Sequence, residues 1–250
     1  MSEPYEHGVL VDIQGHGTVG KAMKHIFSDC FHENYMDDVD AVIITNHEDY
    51  LYDVITDVKK WHIGLIIIKC TVRPDMLKKI MGLHDKICYV PEFLREKTSL
   101  ADAEFPAFRI FGGTKENIAL AERIFAAANS YPQRIFHMSA EEASFVKYSI
   151  NCYLAMKVAF FNELYDLAKK HDMNWYNISQ AVIADERIGS SHTEVPGHDG
   201  EFGFGGKCLP KDLDAFIDYS GIELLHAVRS SNDGRRKLNQ KWEDPLGYGY

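Results

Sequence analysis

The stretch Gly8-Val9-Leu10-Val11-Asp12-Ile13-Gln14-Gly15-His16-Gly17-Thr18-Val19-Gly20 decides the fold. Gly8 to Ile13 reads as a short buried strand, because its residues are largely apolar and β-branched. It runs into Gly15-x-Gly17-x-x-Gly20 and then a helix through about Phe27. Gly15 permits the tight turn, Gly17 lets a phosphate approach the backbone, and Gly20 lets the helix pack on the strand. The free N–H groups of the helix start would face that phosphate. Gly-x-Gly-x-x-Gly alone is a weak signal, and a purely structural turn is the plain alternative. The strand–turn–helix context favours a dinucleotide site with Gly15, Gly17, Thr18, Val19 and Gly20 around the pyrophosphate.

Outward from this turn, strands and helices alternate. Strands are expected at 40–45, 64–69 and 86–90, with a fifth at 108–111. Helices are expected at 50–61, 75–81 and 115–128. Continuous apolar strands alternating with helices predict a parallel sheet covered on both faces. The acid that holds a cofactor ribose is expected about 20 residues after the turn, which points to Asp37 or Asp38. A carboxylate there favours NAD over NADP. Thr45, ending the next strand, joins the expected cofactor contacts. Phe31 to Met36 makes a poor strand, so the domain reads as an abridged Rossmann-like unit.

After Pro132 the pattern turns helical. A long helix is expected over 139–171, opened by a capping box of Ser139 and Glu142. Further helices are expected at 174–184, 210–220 and 223–238, with a glycine-rich loop at 186–207. The domains read as 1–135, α/β, and 136–243, a helical and dimerising domain, with a tail at 244–250.

Composition excludes several classes. The 250 residues are 46% hydrophobic, with a net charge of −10, and no basic patch is visible. Nucleic acid is therefore not an expected partner. The apolar runs are too short for a bilayer, and Met1 to Gly8 is not a signal peptide. The five cysteines are scattered and odd in number, which argues against a disulfide framework and for the cytoplasm. His16, His192 and His198 show no ligand spacing, so no metal is expected.

Gly203-Phe204-Gly205-Gly206-Lys207-Cys208-Leu209-Pro210-Lys211-Asp212 is the most informative stretch. Pro210 suits a first helical turn, which puts Cys208 at a helix start, where free N–H groups favour a thiolate. Lys207 and Lys211 add positive charge. Cys30, Cys70, Cys88 and Cys152 read as small buried residues. The loop resembles the nucleophile motif of the UDP-glucose/GDP-mannose dehydrogenase family. Four further stretches resemble that family in order: Ile68-Lys69-Cys70-Thr71-Val72, Pro91-Glu92-Phe93-Leu94-Arg95-Glu96, Lys147-Tyr148-Ser149-Ile150-Asn151, and Asp185-Glu186-Arg187-Ile188-Gly189.

The resemblance implies oxidation of the C6 alcohol of a nucleotide sugar, with UDP-glucose the first expectation, to a carboxylate by two NAD per turnover. Such chemistry serves polysaccharide biosynthesis. It implies Cys208 as the covalent nucleophile, passing through a thiohemiacetal and a thioester. Lys147 and Asn151, one turn apart, would stabilise the oxyanion. Asp212 with a water held by Thr71 would take the alcohol proton, and Glu92 would activate water against the thioester. Glu96 and Lys211 would contact NAD. Phe93, Leu94, Phe204, Gly205 and Gly206 would line the sugar pocket, and His192 to Gly197 would shape the nucleotide pocket. Arg187 would reach the substrate of the partner subunit in a homodimer. The chain stops soon after Leu238, so the resemblance also implies that a second α/β domain of the family is missing. Two rival readings are a degenerate member that binds without turnover, and a 3-hydroxyacid dehydrogenase, which has no use for a thiolate.

Overall fold

The computed structural model describes residues 8–30 and 38–236. Asp37, the stretch 31–36 and the tail 244–250 lie outside the described residues. The chain packs as two compact units that divide between Lys147 and Tyr148.

The first unit is built on six strands: β1 (Val11–Gln14), β2 (Asp38–Ile44), β3 (His62–Ile68), β4 (Ile87–Tyr89), β5 (Arg109–Gly112) and β6 (Ile135–Met138). Its helices are α1 (Thr18–Ile26), α2 (Leu51–Val58), α3 (Pro74–Met81), α4 (Ser99–Glu104) and α5 (Lys115–Ala126), joined by the start of α6 (Ala140–Lys170). The strands lie side by side in chain order, so β1 is an edge strand. β2 and β3 are buried through most of their length because helices cover both faces. The in-and-out alternation of a half-exposed strand is absent, and Ala41, Val42, Ile43 and Ile44 are all fully buried.

Two layers of core follow from this. Val11, Ile13, Ala41, Ile43, Leu65 and Ile67 pack with Met23, Ile26 and Phe27 of α1 and with Ile118, Ile124 and Phe125 of α5. On the opposite face Val42, Ile44, Ile66 and Ile68 pack with Leu51 and Ile55 of α2, Leu77 and Ile80 of α3, and Ala140 and Ala143 of α6. β1 to β4 are parallel and advance in one direction. Helices on opposite faces therefore mean connections of opposite hand. The strong preference for right-handed crossovers leaves β1–α1–β2 as the left-handed one.

Three expectations need correction. The sheet is not all parallel: β5 meets β4 antiparallel, through Tyr89 and Gly112. An apolar run carries no direction, and the link between these strands supplies only the six-residue α4 in place of a full crossover helix. β6 is a further strand that sequence reading misses, because Ile135, Phe136 and His137 are exposed at an edge and show no core pattern. The division between units falls inside α6 rather than at 135, because Ala140 and Ala143 belong to the sheet's core.

The second unit holds the rest of α6, then α7 (Trp175–Ile183), α8 (Leu209–Ser220) and α9 (Glu223–Asp233), shorter than the expected 223–238. The capping box forms as expected: Ser139 N–H donates to Glu142 Oε2 at 2.8 Å, and Glu142 N–H to Ser139 Oγ at 3.2 Å. Tyr148, Cys152, Ala155 and Ala159 of α6 pack with Phe204, with Leu213 and Phe216 of α8, and with Leu225 and Val228 of α9. Tyr153, Phe160 and Leu167, seven residues apart along α6, are each more than half exposed.

Candidate functional site

In the first unit the glycine turn is a cradle that no side chain could enter. Gly15 has φ +117°, and a Cβ there would collide with Thr45 Oγ1, while one at Gly20 would collide with the Gly15 carbonyl. Thr45 Oγ1 donates to Gln14 O at 2.8 Å, which ties the end of β2 to the turn. Gly17 is the N-cap of α1, and no acidic residue lies in the first helical turn. No carboxylate of that first turn therefore opposes an anion at this helix end. Asp38, one of the two expected ribose acids, is placed elsewhere. It starts β2, six residues before Ile44, which pairs with Gln14. That separates it from the turn by about 20 Å along the strand. The reason is that the strand expected to end there is the start of the next one.

At the carboxyl ends of β3 and β4 a second group assembles. Glu92 is nearly buried, and both its oxygens are engaged: Oε1 accepts from Lys147 Nζ at 3.2 Å and Oε2 from Leu94 N–H at 2.7 Å. Lys147, 4% exposed, also lies 5.1 Å from the Phe93 ring centre. The sequence-expected Glu92, Phe93, Leu94 and Lys147 therefore form one connected cluster. Ser144 Oγ donates to Val72 O, which pins the segment carrying Thr71 to the first turns of α6. Glu96 begins a 3-10 turn on the surface instead. Its neighbour Arg95 pairs with Asp102, holding that carboxyl down at about 2. Lys69, given no role in the sequence, is also buried, 5.4 Å from the Phe125 ring centre. Its signal was a lysine ending the run Ile66-Ile67-Ile68.

In the second unit Asp212 is 1% exposed and takes both its partners from the expected set. Asn151 Nδ2 donates to Oδ2 at 2.5 Å, and Lys211 Nζ to Oδ1 at 2.7 Å. Lys211, expected at the cofactor, engages Asp212 here. Cys208 is the N-cap of α8, exposed, with Pro210 in the first turn. The other cysteines differ. Cys70, Cys88 and Cys152 are buried, and burial pushes the thiols of Cys88 and Cys152 up to about 12. Burial also raises Cys30.

The loop before Cys208 is clamped by residues that sequence reading did not find. Asn162 Oδ1 of α6 accepts from Gly203 N–H at 2.9 Å. Asn232 Oδ1 of α9 accepts from Phe204 N–H at 2.7 Å, and its Nδ2 donates to Phe204 O at 3.0 Å. Arg236 donates to Phe202 O at 2.9 Å. The only sequence signal was a polar residue among apolar ones, as in Phe160-Phe161-Asn162. Phe204 itself is 3% exposed and belongs to the core, so its side chain does not line a pocket. Gly205 continues the loop beside Arg236, and Gly206 follows with φ +75° and open space at its Cβ position. Arg187 is exposed and closes on Asp185 of its own turn through two contacts, at 3.0 and 2.6 Å. Among the described residues no group of three His, Cys, Asp or Glu could hold a metal. No described helix is long and apolar enough to cross a membrane.

Residues 141–234 match the model of the UDP-glucose/GDP-mannose dehydrogenase family, central domain. A UDP-glucose 6-dehydrogenase of Campylobacter jejuni subsp. jejuni is 34% identical over 194 residues, covering 74% of this chain and 48% of that protein. The chain spans about half the length of the curated relatives it matches. A UDP-glucose dehydrogenase structure from Pyrobaculum islandicum superposes with a TM-score of 0.75 at 22% identity, over 94% of this chain and 70% of that one. A 3-hydroxyisobutyrate dehydrogenase structure from Mycobacterium tuberculosis gives 0.71 at 15% identity, over 90% and 92%. These two likenesses establish a Rossmann-like α/β fold and nothing narrower.

Proposed function

Since the chain belongs to the UDP-glucose/GDP-mannose dehydrogenase family, we propose that it oxidises the C6 alcohol of a nucleotide sugar, UDP-glucose first among them, to the carboxylate. The observation that carries this reading is the contrast among the cysteines. Cys208 alone of the five stands exposed at a helix N-terminus, one turn from a buried carboxylate. A dehydrogenase that stops at an aldehyde has no need of such a thiol.

The Gly15–Gly20 turn, Thr45 and the start of α1 fit a dinucleotide, and would hold NAD. Bound there, NAD supplies hydride acceptance twice per turnover. The chain's own residues do the rest. Asp212, oriented by Asn151 and Lys211, receives the alcohol proton through a water. Cys208 sulfur adds to the aldehyde carbon, and Asn151 and Lys147 donate hydrogen bonds to the resulting oxyanion. After the second oxidation the sugar is held as a thioester. Glu92 takes a proton from water as the water oxygen bonds to the carbonyl carbon, and the C–S bond breaks to return Cys208. Thr71 holds the water near Asp212. The clamp of Asn162 and Asn232 fixes the loop that presents Cys208.

The exposed Tyr153, Phe160 and Leu167 stripe supports a homodimer through α6, since a contiguous apolar stripe of this kind marks a protein interface. In such a dimer Arg187 would serve the partner's substrate.

The test is NADH absorbance with purified chain, NAD and UDP-glucose, repeated with GDP-mannose. Two NADH per sugar, lost in Cys208→Ser, is the expected outcome. Unaltered acid formation in Cys208→Ser, or no NADH with either sugar, overturns the reading.

A further inference from the structure

Thr71 and Glu92 follow neighbouring parallel strands of the first unit. The last paired residues of β3 and β4 are Ile68 and Tyr89, so each of the two lies three residues past the pairing. One further backbone bond joins the strands, from Val90 N–H to Ile68 O at 2.8 Å. From there the first turns of α6, which belong to the same unit, take hold of both segments. Ser144 Oγ donates to Val72 O at 2.5 Å, and both residues are fully buried. Lys147 Nζ, one turn along the helix, donates to Glu92 Oε1 at 3.2 Å. The helix is itself seated on β5. A Cβ at Gly112 would lie 2.9 Å from Ala140 Cα, 2.9 Å from Ala143 Cβ and 3.1 Å from Ser139 O. Only a glycine there lets the helix come this close.

A ladder of hydrogen bonds fixes the spacing of its strands, and past its end that constraint is gone. The separation of Thr71 from Glu92 then depends on the support they share. We propose, on the reading that Thr71 holds the water through which the alcohol proton leaves, that Ser144 is a positioning residue for Thr71: its hydroxyl ties the Thr71 segment to the helix that holds Glu92, and Gly112 sets how deep that helix sits. In the step concerned the C6 hydride goes to NAD while the hydroxyl proton passes through the water to Asp212. Ser144 itself neither gains nor loses a bond to the substrate. Alanine at 144 would keep the shape of the helix face and leave the buried Val72 carbonyl without this donor. Glu92 would still have Lys147. The loss should therefore fall on alcohol oxidation and spare the later steps.

The experiment is single-turnover NADH formation by the full chain with NAD, given either UDP-glucose or its C6 aldehyde, which bypasses the alcohol step. Wild type is compared with Ser144→Ala, Ser144→Cys, Gly112→Ala and Thr71→Ala. Ser144→Ala should slow UDP-glucose oxidation by about ten- to a hundredfold, as a misplaced group does, and leave the aldehyde rate at the wild-type value. Ser144→Cys, a weaker donor, should fall between. Gly112→Ala displaces the helix that bears both tethers and should slow both substrates. Thr71→Ala at the wild-type rate with UDP-glucose sinks the role of Thr71 itself. A slow Thr71→Ala beside a Ser144→Ala that is unimpaired, or equally slow with both substrates, overturns the Ser144 proposal and leaves Thr71 in place. Amide hydrogen exchange gives a readout free of turnover: residues 70–73 should exchange faster in Ser144→Ala, with 91–94 unchanged. Unaltered exchange at 70–73 overturns the proposal as well. In a wild-type chain inert with both substrates, which sinks the function proposed above, the exchange alone decides the tether. If Ser144→Ala does not fold, Ser144→Cys decides by the same readouts.

Discussion

Asn232→Ala strips the loop before Cys208 of its firmest anchor. Asn232 is fully buried, and its amide bonds both the N–H and the carbonyl of Phe204, at 2.7 and 3.0 Å. Alanine leaves both backbone groups buried and unpartnered. Each such group costs about 1–3 kcal/mol, so the loss is about 2–6 kcal/mol together. Water entry would bring the loss toward the lower end of that range. The change also frees Gly203, whose backbone packs against the Asn232 side chain. The assay is urea unfolding, read as a fall in midpoint at constant slope, with iodoacetamide labelling of Cys208 in the native state. The expected outcome is a destabilisation of at least about 2 kcal/mol and a changed labelling rate. Asn232→Asp, which keeps the acceptor and loses the donor, should fall between. A shift below about 0.5 kcal/mol, the usual range for surface changes, would refute the idea that this amide holds the loop.

Other consequences are equally open to test. Gly15→Ala forces a side chain into Thr45 at φ +117°, so NAD binding measured by calorimetry should be lost while the helical unit stays folded. Lys147→Met leaves the nearly buried Glu92 without its ion-pair partner, and breaking such a pair should destabilise by about 3–5 kcal/mol in urea unfolding. Lys69 gives a pH dependence of defined sign. Below about pH 7 it is protonated in both the folded and unfolded chain; from there to 10.5 only the unfolded chain is protonated. Unfolding in that window takes up a proton, so wild-type stability should rise with pH relative to Lys69→Met, by up to about 5 kcal/mol. An equal slope in both proteins would remove the basis for a perturbed lysine. Phe160→Glu, in the middle of the exposed α6 stripe, should turn a dimer into a monomer by sedimentation.

The parts of this molecule written in local pattern were legible from the residues. Strand–turn–helix at Gly15, the capping box at Ser139 and the proline after Cys208 are each decided within a few positions. Glu92 with Lys147, and Asp212 with Asn151, are residues that the family resemblance had named for one site, whereas Lys211 was expected at NAD and pairs with Asp212; each group belongs to its own unit. What local pattern lacks is direction and distance. Nothing in Arg109–Gly112 says which way the strand runs. Nothing in Asp38 says that it starts a strand rather than ends one. Asn232 and Asn162 read as ordinary polar helix residues because their partners lie 28 and 41 positions away. Phe204 read as a pocket residue because a glycine-rich neighbourhood hides the core that takes its ring.

The left-handed passage from β1 to β2 also says something about how this chain can be built upon. A doubly wound sheet reverses its strand order at its first strand, with further strands lying beyond it. Cutting a strand–helix–strand piece out of such a sheet leaves the first helix on its old face, and rejoining the ends yields the hand found here. A graft of one strand–helix–strand module at that point would dock on the edge of β1 and turn every connection right-handed, with the remaining five strands left in register.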